Sequence, residues 1–242
     1  MRVTNLRTVD GVDLAYRQWG DADGVPVVLL HGVGGDASTW DDMGPPLADG
    51  RTVYAYDARG HGDSARTPSY SFELMRDDLL GLLDALGFER ADVVGHSMGG
   101  VVGYQFAAAH PDRVRRLVLE ETPPPWPRDD VTVGPRPDGD LPYDWAVLTT
   151  VKSQVRTPDP SWPSLLPGLT TPTLVIAGGP RSQIPQDKIA RMAALMPAAT
   201  LVTIDAGHQV HTTRPADFLA AVVPFLTWNN GAAATTAGPR AG

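Results

Sequence analysis

The stretch GHSMGG, residues 95–100, sets a serine between glycines at 95 and 99, after the apolar run ADVV and ahead of a helical pattern. Glycines at those places remove Cβ atoms where a strand turns sharply into a helix, and such a turn lifts the serine hydroxyl clear of the sheet. A hydroxyl presented that way is a nucleophile for acyl transfer. The Met98 amide at the helix N-terminus is placed to meet the oxygen that becomes negative. HGVGG, residues 31–35, follows VPVVLL and reads as a second sharp loop, with the Val33 amide as the other oxyanion donor. DAGHQVH, residues 205–211, follows LVTI and sets His208 at a strand end, in reach of Ser97 as general base. His31 reads as a hydrogen-bonding residue that positions its loop, and Asp205 and His211 as loop-shaping residues.

An imidazole that takes a proton from serine is normally held by an acid on its other nitrogen. The loop after TLVIA is a suitable strand end for one, yet no Asp or Glu occurs from Thr173 to Gln186. A different pair, Glu120 and Glu121, closes the run RRLVLEE. Successive strand side chains face opposite ways, so the two are not expected to reach His208 together.

These residues need a frame. Leu6 and Thr8, an Asp10–Gly11 turn, then Val12, Leu14 and Tyr16 in alternation predict an N-terminal hairpin. Six apolar runs follow without alternation, at 25–30, 52–57, 91–96, 115–121, 171–177 and 199–205, which predicts strands buried on both faces. Met75, Leu79, Leu82, Leu83 and Leu86 form one apolar helical face that Gly87 ends. Further helices are predicted from just after Ser97 to before Pro111, from about 185 to 196, and from 215 to 228, with Pro224 awkwardly inside the last. The alternation gives an α/β fold: a doubly wound, mostly parallel sheet with an N-terminal hairpin. Positions 123–172 hold 12 of the 23 prolines, so only Tyr143–Val155 reads as helical there, and the insertion at about 123–170 is expected to be a small lid. Residues 229–242 read as a disordered tail after one domain over 1–228.

With 42% hydrophobic and 20% charged residues, the 242-residue chain has the make-up of an ordinary soluble globule. A net charge of −8 argues against nucleic acid and anionic membrane as partners. The absence of cysteine removes disulfides, thiolate metal sites and cysteine nucleophiles. No apolar h-region opens the chain and no apolar run spans a bilayer, so a cytoplasmic location is expected.

HGVGG, GHSMGG, the GH of AGHQVH and YDARGHGDS at 56–64 together resemble the α/β-hydrolase superfamily, over about residues 3–228. The nearest pattern is that of small single-domain esterases and cofactor-free haloperoxidase-like members with a reduced cap. In most members the acid follows strand seven in a G-x-x-D-x-x-x-P loop; on GGPRSQIP that aspartate falls on Arg181. A minority, among them the haloalkane dehalogenases, carry the acid after strand six, and that resemblance falls on Glu121, with Glu120 in reserve. Serine in place of aspartate at the elbow disfavours halide displacement and implies an acyl-enzyme. The resemblance therefore implies a serine hydrolase of carboxylic esters, thioesters or lactones. Its catalytic residues would be Ser97, His208 and Glu121, with Val33 and Met98 as oxyanion donors, and no metal or organic cofactor. Perhydrolysis and C–C bond hydrolysis use the same constellation. The aromatics Trp126, Tyr143, Trp145 and Trp162, with Trp40 near the HGVGG loop, fit either aromatic core packing or a pocket for an apolar acyl or alcohol group on a small-molecule substrate, and the latter is the expectation. Trp40 and Trp145 are the candidate pocket residues. The contrasting expectation is a catalytically impaired member that binds a small hydrophobic ligand.

Overall fold

Unalternated β-branched runs need cover on both faces. In the computed structural model, which describes residues 2–7 and 11–227, most of these runs have it. The strands are β1 (Arg2–Arg7), β2 (Asp13–Trp19), β3 (Val27–Leu30), β4 (Val53–Tyr56), β5 (Ala91–His96), β6 (Val114–Glu120), β7 (Thr173–Ala177) and β8 (Ala199–Thr203). They form one sheet in the order β1-β2-β4-β3-β5-β6-β7-β8. β2 runs antiparallel to both β1 and β4, and the remaining pairs are parallel. The order reverses between β3 and β5, and ligands of such sheets bind beyond the carboxyl ends of the strands at that reversal. HGVGG and GHSMGG leave those two strands there, and Glu121 follows β6 beside them.

β8 departs from the expectation. Its residues are half-buried or exposed throughout, because it pairs only with β7 and forms the sheet edge. Thr8 and Asp10 of the anticipated hairpin turn lie outside the described residues, as do Trp228 and the segment 229–242.

The helices are α1 (Gly44–Leu47), α2 (Phe72–Ala85), α3 (Met98–Ala109), α4 (Trp145–Arg156), α5 (Gln186–Leu195), α6 (Val210–Thr213) and α7 (Pro215–Thr227). Ser71 caps α2 by accepting the Leu74 N–H at 3.1 Å, and Met75, Leu79, Leu82 and Leu83 are its buried stripe. On one side of the sheet these pack with Tyr104, Phe106 and Ile189. On the other, Trp40, Leu47, Phe218, Val222 and Leu226 form a second core. Pro224 lies inside α7. The proline-rich excursion between β6 and β7 contains α4 and a 3-10 turn over Trp162–Gly168. Among the described residues, no helix is long and apolar enough to cross a membrane.

The YDARGHGDS segment folds as a braced turn. Asp57 accepts the Ala37 N–H at 2.7 Å and the Asp63 N–H at 2.9 Å, and the Arg59 guanidinium forks onto Asp78 with two bonds of 2.6 Å. Both members of that ion pair are buried. Removing either alone would break this buried pair, typically a loss of about 3–5 kcal/mol.

Candidate active site

Ser97 has φ 51° and ψ −112°, a left-handed backbone that a non-glycine residue adopts at a cost of about 1–3 kcal/mol. Its surroundings hold it there. The Ser97 N–H donates to the Glu120 carbonyl at 2.9 Å, and the Ser97 carbonyl accepts from Gly100 and Val101. A Cβ on Gly95 would lie 2.4 Å from the Gly99 carbonyl oxygen, and one on Gly99 would lie 2.3 Å from that of Leu30. The two glycines therefore permit the close passage of strand and helix that the elbow requires.

The His208 Nε2 stands 3.1 Å from the Ser97 Oγ, and its Nδ1 stands 3.3 Å from the Glu121 Oε2. A carboxylate can only accept, so Nδ1 carries the proton and Nε2 presents its lone pair to the serine hydroxyl. Glu121 has left the strand: its φ is +48°, and its side chain is fully buried. The Gly178 N–H, the Ser182 hydroxyl and the Gln186 amide (3.2 Å) also donate to its carboxylate. Burial opposes ionisation, but the bonds from His208, Ser182, Gly178 and Gln186 outweigh it and hold the carboxyl below its ordinary range.

The loop after β7 thus lacks an acid but supplies donors to one. A Cβ on Gly178 would sit 2.0 Å from the Gly207 carbonyl oxygen and 2.9 Å from the Glu121 carboxyl carbon. Only glycine brings this amide so near. Arg181 turns outward and pairs with Asp205, both largely exposed.

Glu120 is equally buried but serves a different partner. Its carboxylate accepts the His211 N–H at 2.9 Å and the His211 Nδ1–H at 2.8–2.9 Å. Burial raises its pKa, yet the neighbouring His211 and His96 more than reverse this, and the carboxyl lies below its ordinary value. Neither glutamate is a solvated strand-end charge.

His31 uses both ring nitrogens on backbone: Nδ1–H donates to Gly32 at 2.8 Å, and Nε2 accepts the Ala58 N–H at 2.9 Å. His61 braces the same loop by accepting the Gly34 N–H at 3.2 Å. The Val33 and Met98 amides have no hydrogen-bond partner among the described residues, and both residues line the same cavity as Ser97.

That cavity, about 490 Å³, is walled by Met98, Val131, Leu148, Val151, Val155 and Ile184, with Arg128, Asp130, Lys152 and Thr132 at its polar part. The β6–β7 excursion provides much of this wall. Two expected pocket residues are corrected here. Trp40 is fully buried on the far side of the site, stacked on the His211 ring at 4.2 Å, and does not line the cavity. Trp145 opens α4 one turn before Leu148, and the residues that reach the cavity are Leu148, Val151, Lys152 and Val155.

His96 was not anticipated. Its Nε2–H donates to the His208 carbonyl at 2.8 Å. Burial lowers its pKa to about 4 and that of His61 to about 3, while His31 is lowered by burial as well. These rings are neutral when folded and titrate near 6.5 when unfolded, so their stabilising effect is present above pH 6.5 and fades as pH falls toward 3. For His61 alone the stability lost by pH 4.5 is about 2–3 kcal/mol. The urea midpoint is therefore expected to drop sharply between pH 7.5 and 4.5, and His61→Gln should show a smaller drop over that interval.

A family model described as "alpha/beta hydrolase fold" matches residues 25–152. The sn-1-specific diacylglycerol lipase ABHD11 of Mus musculus is 28% identical, the match covering 86% of this chain and 82% of the mouse protein. Among solved structures, a hydrolase from Pseudomonas aeruginosa PA01 gives a TM-score of 0.81 at 30% identity, covering 93% of this chain and 98% of that one. The enol-lactonase from Burkholderia xenovorans LB400 gives 0.78 at 25% identity, with 93% and 100% covered.

Proposed function

The chain belongs to the α/β-hydrolase family, and on that premise we propose that it is a serine hydrolase acting on a carboxylic ester, thioester or lactone through an acyl-enzyme. The observation that carries this reading is the chain of contacts Glu121–His208–Ser97, of 3.3 and 3.1 Å, with Ser97 and His208 at the cavity wall.

The Ser97 Oγ attacks the carbonyl carbon while the His208 Nε2 takes its proton. Glu121 holds the imidazole in the Nδ1–H form and stabilises the imidazolium. The carbonyl oxygen gains charge facing the Val33 and Met98 amides, worth roughly 100- to 1000-fold in rate per donor. The Nε2–H then protonates the departing alcohol, thiol or lactone oxygen, and a water activated by the same nitrogen releases the acid. The apolar wall of Met98, Val131, Leu148, Val151 and Ile184 favours an apolar acyl or alcohol group. The β6–β7 excursion acts as the lid over it. The relatives support the class, since one is named a lipase and one solved neighbour an enol-lactonase.

A fluorophosphonate probe tests this directly. Stoichiometric labelling of wild-type protein, with the adduct mass on the peptide containing Ser97, is expected. A probe that fails to label while a hydrophobic ligand binds tightly would favour the impaired-binder alternative.

A further inference from the structure

Glu120 and His211 lie outside the cavity wall, yet both are tied to the parts that must meet within it. Glu120 acts twice. Its backbone carbonyl accepts the Ser97 N–H at 2.9 Å, and its carboxylate takes the two donors of His211. One residue at the end of β6 thus spans the nucleophile elbow and the loop that carries the general base.

The loop itself is fastened at the imidazole's point of attachment and again three residues beyond it. At position 208 the His96 Nε2–H holds the carbonyl at 2.8 Å. At position 211 the ring is bound to Glu120, stacked on Trp40 at 4.2 Å, and set edge-on to His96 at 5.1 Å. Just before His208 the Ala206 and Gly207 N–H groups donate to the Gly178 carbonyl at 3.0 and 2.9 Å, and the Glu120–His211 contacts supply the hold beyond the imidazole. We propose that Glu120 and His211 are a positioning pair that fixes His208 against Ser97, so that Glu120 is a working part of the site and not a spare acid. The inference rests on the serine-hydrolase reading above.

The same geometry explains why two adjacent buried carboxylates are tolerated. Glu120 is satisfied by His211 and Glu121 by its own four donors, so neither competes for the other's histidine. A purely structural pair would hold the core and leave the reaction unchanged. A positioning pair should alter the chemical step with little effect on substrate affinity, because neither residue touches the cavity. Misplacement of a catalytic group by about 1 Å costs on the order of 100-fold.

The double variant Glu120→Leu/His211→Phe separates these roles. Replacing both partners of a buried pair by apolar groups of similar volume is often neutral for stability, and an aromatic ring at 211 retains the stack on Trp40. The 211 backbone N–H loses its acceptor in this variant, so the expected result on a short p-nitrophenyl ester is a lowered urea midpoint with the cooperative transition kept, an unchanged KM, and a kcat about 100-fold lower. Fluorophosphonate labelling should slow in proportion. His211→Asn, which keeps one donor for Glu120, should recover part of that loss. A stable double variant with kcat within about threefold of wild type overturns the proposal. Should it not fold, Glu120→Gln decides: about a tenfold fall in kcat at constant KM supports the pair, and an unchanged kcat overturns it. Wild-type protein that labels at the same rate as the variants sinks this inference alone. Wild-type protein that does not label at all sinks the serine-hydrolase reading beneath it.

Discussion

Ser97→Ala is expected to lower kcat on a short p-nitrophenyl ester by roughly 10⁶-fold, with the fold intact and fluorophosphonate labelling abolished. The fold should survive because the hydroxyl has few structural duties. Among the described residues its one hydrogen bond is the 3.1 Å contact with the His208 Nε2, and the bonds that hold the strained elbow are made by the Ser97 N–H and carbonyl. Alanine meets the same left-handed φ of 51° that serine does, so the backbone strain is unchanged. The imidazole is partly open to the cavity, and water can satisfy Nε2 once the hydroxyl is gone. What remains is binding and the oxyanion amides, which in comparable enzymes leave about 10³- to 10⁴-fold over water. A steady-state ester assay beside a urea titration checks both halves. Retention of more than a tenth of the wild-type rate would mean that another group attacks the ester.

The parts that the sequence revealed are those that leave a local pattern. The β3 and β5 runs are apolar without alternation because both faces are covered, and Gly95 and Gly99 are glycine because a Cβ would strike backbone. ATLVTID looks the same on paper as TPTLVIA, but burial depends on having a neighbour on each side, and β8 has one. Trp40 was misread for a similar reason. Nearness in sequence to the HGVGG loop does not say which face of the sheet a side chain takes, and this one turns into the α7 core. His96 left no signature at all, since its partner is a backbone carbonyl 112 residues away. The two glutamates sit between these cases. They do take different partners, but strand alternation is not the reason: β6 ends at Glu120, and Glu121 reaches His208 because its backbone turns to φ +48°, a change that no neighbouring residue type announces.

Glu121→Gln should lower kcat/KM by roughly 10⁴-fold, the loss found when a triad aspartate becomes its amide. The carboxylate receives four donors here: the His208 Nδ1–H, the Ser182 hydroxyl, the Gly178 N–H and the Gln186 amide. An amide has one oxygen and one NH₂, and neither orientation suits the site. With the oxygen toward His208, the NH₂ is driven against the remaining donors. With the NH₂ toward His208, Nδ1 must give up its proton to accept, and the proton moves to Nε2, where the imidazole can no longer take one from Ser97. The first arrangement leaves buried donors unsatisfied and should also lower stability by about 1–3 kcal/mol. The second keeps the fold but disables the base. Kinetics and urea titration together distinguish them. The loss should exceed that of Glu120→Gln, because Glu121 contacts the reacting imidazole itself and Glu120 acts through the loop. An equal loss in the two variants would reduce Glu121 to a second loop anchor. A Glu121→Gln enzyme within tenfold of wild type would show that His208 is oriented by its backbone clamp alone, with Ser97 and His208 working as a dyad.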